Sequence, residues 1–148
     1  MFENLNDLYQ QVIMDHSRSP RNFRALPTAD HQASGRNPLC GDQVTVFVKM
    51  NGEVIEDISF QGSGCAIAKA SASVMTSALK GKTLIEANQL FQQFQDLVKT
   101  GHASCESLGK LDVFGGVHKF PARVKCAILS WHAALAALAG EQKHVTSE

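Results

Sequence analysis

Residues Gln43 to Met50 alternate with a period of two: Val44, Val46, Val48 and Met50 on one face, Thr45, Phe47 and Lys49 on the other. A pleated strand sends successive side chains to opposite faces, so this pattern describes a strand with one buried face. Asn51-Gly52 follows, a pair suited to the positive φ that a type I′ turn requires at both central positions. Glu53 to Gln61 then returns as the partner strand, with Val54, Ile58 and Phe60 expected on one face. A two-stranded hairpin is marginal alone, so the rest of the chain must cover it.

The cover is helical. Leu5, Leu8, Tyr9, Val12, Ile13 and His16 follow the spacing of one helical face, in a helix expected to stop near Ser17, ahead of Ser19-Pro20. A helix of small residues is predicted from about Ala66 to Leu79, with Gly81 closing it. Thr83-x-x-Glu86 is a capping box opening a helix to about Thr100, with Leu84, Ala87, Leu90, Phe91, Phe94 and Val98 inward. Pro121 suits the first position of a last helix, whose buried stripe is Val124, Ile128, Trp131, Leu135 and Leu138, and Gly140 ends it. Between these elements, Pro20 to Cys40 reads as a long loop with a short edge strand near Ala29–Ser34, and Gly101 to Lys119 as a weakly patterned stretch with one short helix around Leu108–Phe114. The final eight residues are expected to fray. The 148 residues are one domain's worth of chain, with no repeat or linker. The expected fold is α+β: residues 1–148 as a single domain, with a small antiparallel sheet of three strands, hairpin included, packed against helices.

Charge narrows the function. There are 14 Lys and Arg against 14 Asp and Glu, a balance that argues against nucleic acid or an anionic membrane as the main partner. No run approaches the length of a membrane span, and the first residues lack the basic and apolar blocks of a secretion signal. The expected compartment is the cytoplasm, where thiols stay reduced and cysteines bind metal or react. Four cysteines are too few for a disulfide scaffold at this length, and none forms a C-x-x-C pair.

Three of the cysteines lie at element junctions. Cys40 precedes the first hairpin strand in Asn37-Pro38-Leu39-Cys40-Gly41-Asp42, Cys65 opens a helix after Gly62-Ser63-Gly64, and Cys126 lies in the second turn of the last helix. Any one of them alone reads equally well as a small buried hydrophobe. A helix start is, however, the positive end of a dipole with free N–H groups, a setting that favours thiolate at Cys65. Arg123 and Lys125 place cations beside Cys126. Asp42 is as easily read as a turn residue. If the three thiols converge with it, they form a set of three sulfurs and one oxygen suited to zinc or iron. The spacings fit no zinc finger or ribbon, and a carboxylate corner suits a site that opens more than a closed structural one. Gly62-Ser63-Gly64 lacks the tail of a phosphate loop, and neither zincin nor zinc-deaminase motifs occur. Cys105 stands outside every motif and reads as a free thiol. His16 continues a helix face and is expected to hydrogen-bond locally; His132 reads as a boundary residue.

Together the motifs resemble a family. Leu8-Tyr9-x-x-Val12-Ile13-x-Asp15-His16, Pro20-Arg21-Asn22, Asn37-Pro38-x-Cys40-Gly41-Asp42, Gly62-x-Gly64-Cys65-Ala66-Ile67-x-x-Ala70-Ser71-Ala72-Ser73 and Lys119-Phe120-Pro121-Ala122-Arg123-x-Lys125-Cys126 are similar to the IscU/NifU N-terminal family of iron–sulfur cluster assembly proteins. Within it the chain resembles the SufU branch. The scaffold-type pattern has histidine immediately before the last cysteine and a Leu-Pro-Pro-Val-Lys motif upstream; here stand Lys125 and Val117-His118-Lys119-Phe120-Pro121. The 60 residues between Cys65 and Cys126 exceed the IscU spacing, consistent with a SufU-type insertion at about 101–119.

The resemblance implies zinc held by Cys40, Asp42, Cys65 and Cys126. It implies persulfide sulfur taken by Cys40 from a PLP-dependent cysteine desulfurase of the SUF type and passed to downstream cluster-assembly proteins. Arg123 matches a position tied to partner engagement, and Lys125 is grouped with it. The chain is then a zinc-dependent sulfurtransferase acting with an enzyme. The alternative is a scaffold binding iron or an iron–sulfur cluster at the same ligands, and a blander one is a structural zinc module.

Overall fold

The computed structural model describes residues 5–39, 41–102, 108–140 and 144–146, without the side chains of residues 5–9 and 144–146. Cys40, Cys105 and the side chains of Leu5, Leu8 and Tyr9 therefore lie outside the described residues.

The alternating segment forms β2 (Asp42–Asn51) and returns as β3 (Val54–Ser63). Gly52 alone takes positive φ in the turn, at 64°, and Asn51 pairs with Val54. The two-residue loop is thus Gly52-Glu53, with glycine at the first central position as in a type II′ turn, not the expected type I′ turn at Asn51-Gly52. The pairing then shifts: Lys49 faces Asp57, but Met50 faces Ile55. This bulge reverses the side-chain parity of β3. Ile58 and Phe60 point inward as expected, but Ile55 is fully buried and Val54 is 39% exposed, so Val54 does not share their face.

The long loop after the first helix contains β1 (His31–Asn37), three residues further along than expected at its end and antiparallel to β2. A fourth strand, β4 (His144–Thr146), lies parallel to β1 where a frayed tail was expected, giving the order β3-β2-β1-β4. The outer edge of β3 is capped by the loop before β1. The Phe60 N–H donates to the Asn22 carbonyl and the Arg24 N–H to the Phe60 carbonyl, each at 3.0 Å. This uses up edge groups that would otherwise be open to another strand.

The helices are α1 (Leu5–Arg18), α2 (Ala66–Leu79), α3 (Leu84–Thr100) and α4 (Pro121–Leu138), with consecutive 3-10 turns over Gly109–Lys119. The Thr83–Glu86 capping box forms reciprocally at 3.0 and 3.1 Å, and Gly101 ends α3 in the left-handed region. The 3-10 turns run from Gly109 through Lys119, longer than the short helix expected near 108–114, and bury Leu111, Val113, Phe114 and Val117.

In α4 the expected one-sided stripe is a poor description. Ile128 and Trp131 are buried, but so are Ala127, Leu129, Ala133, Ala134, Ala136 and Ala137, whereas Val124, Leu135 and Leu138 are only partly buried. The helix is central, packed against β1, β2, α2, α3 and the 3-10 turns. Alanines at most of its faces permit that close approach on all sides. Trp131 stacks on Phe94 at 4.6 Å between centroids, and Phe94 meets Phe114 edge-on at 5.7 Å.

α2 is held between α1 and α4 by its serines. The Ser71 hydroxyl donates to the Ala127 carbonyl and accepts from Trp131 Nε1, and Ser73 Oγ lies 2.7 Å from His16 Nδ1. His16, 3% exposed, thus reaches a helix 57 positions away rather than a local partner.

Candidate metal centre

Three of the four expected ligands are described, and the fold brings them together. Asp42 is the first residue of β2, Cys65 is the N-cap of α2, and Cys126 lies one turn and a half into α4. Each offers one ligand atom, and these atoms lie within 4.8 Å of one another. Asp42 is 1% exposed, Cys126 3%, and Cys65 is half-buried.

The local chain places each of them. The Gly41 N–H donates to the Asn37 carbonyl at 2.8 Å, and Gly41 takes φ 76°, so β1 turns tightly into β2 and delivers Asp42 inward. The Cys65 N–H donates to Asp42 Oδ1 at 2.9 Å. The other carboxylate oxygen, Oδ2, stands 3.9 Å from the Cys65 sulfur. Cys65 Sγ in turn accepts from the Ala68 N–H at 3.4 Å, the side-chain cap of a helix N-terminus. Gly64 leaves room for this packing: a Cβ there would stand 2.5 Å from Asp42 Oδ1. Cys126 accepts a longer contact, 3.8 Å, from the side-chain amide of Asn37, which is fully buried.

The donor set fits a metal. Two sulfurs and a carboxylate oxygen, mostly withdrawn from water, are the ligands a tetrahedral zinc site uses. Bonds of about 2.3 Å to sulfur and 2.0 Å to oxygen would separate such a pair by about 3.5 Å. The 3.9 Å between Cys65 Sγ and Asp42 Oδ2 needs only a few tenths of an ångström of closure.

Residues 8–127 match the family model for the NifU-like N terminal domain. The chain belongs to this family. It is 42% identical over 140 residues to the zinc-dependent sulfurtransferase SufU of Bacillus subtilis, covering 94% of this chain and 95% of that one. It is 37% identical over 147 residues to the iron–sulfur cluster assembly scaffold protein IscU of Streptococcus pyogenes, covering 97% and 92%. Among solved structures, SufU of Fervidobacterium islandicum superposes with a TM-score of 0.82 at 34% identity, over 90% of this chain and 98% of that one. The N-terminal part of a NifU-like protein from Brucella abortus gives 0.83 at 25% identity, over 92% and 95%. The mixed fold expected from the sequence is the NifU-like one.

The two cations beside Cys126 are placed differently from each other. Arg123 is exposed, with its guanidinium carbon 5.8 Å from the centroid of the exposed Phe120 ring, and Lys125 is half-buried. Three residues of the N-terminal motifs make contacts that hold elements together. Asp15 pairs with Arg21 at 2.8 Å, the Arg21 N–H donates to Ser73 Oγ at 2.7 Å, and Asn22 Nδ2 donates to Thr76 Oγ1 at 3.0 Å. They seat α1 and the following turn on α2. Among the described residues, no helix is long and apolar enough to cross a membrane.

Asn37 is legible in the sequence only as part of a motif, although an asparagine two positions before an N–H is a known turn builder. Leu39 does donate its N–H to Asn37 Oδ1, at 3.2 Å.

Proposed function

We propose that this chain is a zinc-bound sulfur acceptor in iron–sulfur cluster assembly. It takes sulfur from a SUF-type, PLP-dependent cysteine desulfurase and hands it to downstream assembly proteins in the cytoplasm. The observation that carries the reading is the meeting of buried Asp42 and Cys126 with half-buried Cys65, in a chain 42% identical to a zinc-dependent sulfurtransferase. Cys40, two positions before Asp42, completes the proposed ligand set. Zinc, when bound, keeps a thiolate unprotonated yet shielded. In the transfer, the Cys40 thiolate attacks the outer sulfur of the desulfurase persulfide. A new S–S bond forms at Cys40 while the desulfurase S–S bond breaks, leaving the desulfurase cysteine as thiolate. The mixed carboxylate–thiolate set and the position of the ligands at element junctions support a site that releases one ligand to a partner. Arg123, which is exposed beside the Phe120 ring, and Lys125 are the residues proposed to engage that partner.

The test joins metal analysis of protein purified without added metal to a desulfurase turnover assay. About one zinc per chain and faster turnover are expected. A brown protein with charge-transfer absorption and no effect on the desulfurase would replace this reading with the scaffold one. Cys40→Ala should abolish sulfur acceptance, and Cys105→Ala should leave both zinc and acceptance intact. Arg123→Ala should lower desulfurase stimulation while leaving zinc content and unfolding within about 0.5 kcal/mol of the parent.

A further inference from the structure

We propose that Asn37 is a positioning residue of the metal centre: its side-chain amide holds the Cys126 sulfur in place and ties it to the turn that carries position 40. The inference rests on the metal-site reading above.

Asn37 is the last residue of β1 and is fully buried. Its carbonyl side-chain oxygen accepts the Leu39 N–H at 3.2 Å. A backbone N–H only donates, so that bond settles which end of the amide is oxygen and turns the NH2 the other way. The NH2 faces Cys126 Sγ at 3.8 Å, on a helix 89 positions distant. The main-chain carbonyl of the same residue accepts the Gly41 N–H at 2.8 Å. Both neighbours of position 40 are therefore fastened to Asn37, and so is the sulfur of Cys126. In the β1–β2 register Asn37 also pairs with Asp42. One side chain and its backbone thus touch the elements that deliver three of the four proposed ligands.

An N–H directed at a ligating sulfur becomes charge-assisted once that sulfur is a thiolate, and it draws density from the metal–sulfur bond. Outer partners of this kind typically change metal affinity by about 10–100-fold when removed. Turn building alone does not account for this residue. A turn needs only the oxygen of Asn37, which a serine also supplies, whereas reaching across to α4 needs the amide nitrogen.

The experiment separates those two parts. Asn37→Ser retains an oxygen for the Leu39 N–H but has no group to reach Cys126, and Asn37→Asp retains the shape and the oxygen while replacing the donor with an acceptor. Zinc affinity is measured by competition with a chromophoric chelator, the sulfur-to-metal absorption by cobalt substitution, and thermal unfolding on the metal-free proteins. Both variants are expected to bind zinc about 10-fold or more weakly and to shift the cobalt charge-transfer band; metal-free unfolding should stay cooperative in both, with Asn37→Asp melting lower because it buries an unpaired carboxylate. Parent-like zinc affinity and an unchanged cobalt band in either folded variant would overturn the proposal. A readout independent of any variant is the Asn37 side-chain amide in the NMR spectrum of the zinc-loaded parent. Slow hydrogen exchange is expected, and exchange as fast as that of the exposed Asn51 would also overturn it. Failure of the parent itself to bind zinc would instead sink the metal-site reading.

Discussion

Asp42 reaches the candidate metal centre because the residue beside Cys65 has no side chain. A Cβ at Gly64 would press on Asp42 Oδ1 at 2.5 Å, and the carboxylate is buried, 1% exposed. Gly64→Ala is expected to cost about 1–3 kcal/mol of stability, as overpacking does. It should also lower zinc content by displacing that oxygen, measured by denaturant unfolding beside metal analysis. A folded variant with full zinc would show that this oxygen's position does not matter to the centre. The glycine was visible in the motif Gly62-x-Gly64-Cys65, but its reason was not. The clearance serves a carboxylate on β2, a partner that the motif does not name.

At the scale of elements, the docking of α1 on α2 buries a histidine in surroundings that favour its neutral form. Burial, and next the nearby Arg21, push the His16 pKa below the ordinary 6.5, against a smaller opposing effect of Asp15. The unfolded chain therefore takes up a proton at a pH where the folded one does not. Stability is fully present above the unfolded value and falls as pH drops below about 6.5, by at most about 1.4 kcal/mol per pH unit for one such group. His132, edge-on to Phe91 at 5.2 Å, is shifted down mainly by burial and adds loss of the same sign. Urea unfolding of the metal-free protein between pH 7.5 and 5 should show this decline. His16→Gln should flatten it while lowering stability at neutral pH, and an unchanged slope would remove His16 as its source. The helical pattern marked His16 as inward, yet its partner Ser73 lies on an element the pattern says nothing about. The bulge in β3 is a similar case: strict alternation carried on through Val54, and one extra residue between Ile55 and Asp57 moved Ile55 inside instead.

For the whole molecule, the proposed ligands belong to β2, α2 and α4, and to the β1–β2 turn. No short stretch of unfolded chain holds such a set, so zinc should bind the folded state and stabilise it through linkage. Free zinc at about 100 times its dissociation constant corresponds to about 2.7 kcal/mol. Calorimetry should show a melting temperature several degrees higher with zinc than with a chelator, and Asp42→Ala should shrink the difference. A parent protein whose melting temperature ignores zinc would mean that the three ligand atoms meet without holding metal. In the same way the core is one body: Phe94→Ala, which removes the ring stacked on Trp131, is expected to cost about 3–5 kcal/mol.

The amino-acid sequence by itself determined the hairpin, the Ala66–Leu79 helix, the Thr83–Glu86 cap and the start of α4 at Pro121, because those depend on interactions between residues two to four positions apart. It also marked Cys65 and Asp42 as junction residues. Only the tertiary structure decided that α4 is buried on nearly every side, that His16 meets Ser73, and that Asn37 reaches Cys126. Those contacts span 57 to 89 positions. They exist because layers pack at particular distances, and local periodicity carries no record of which distant element fills the other side.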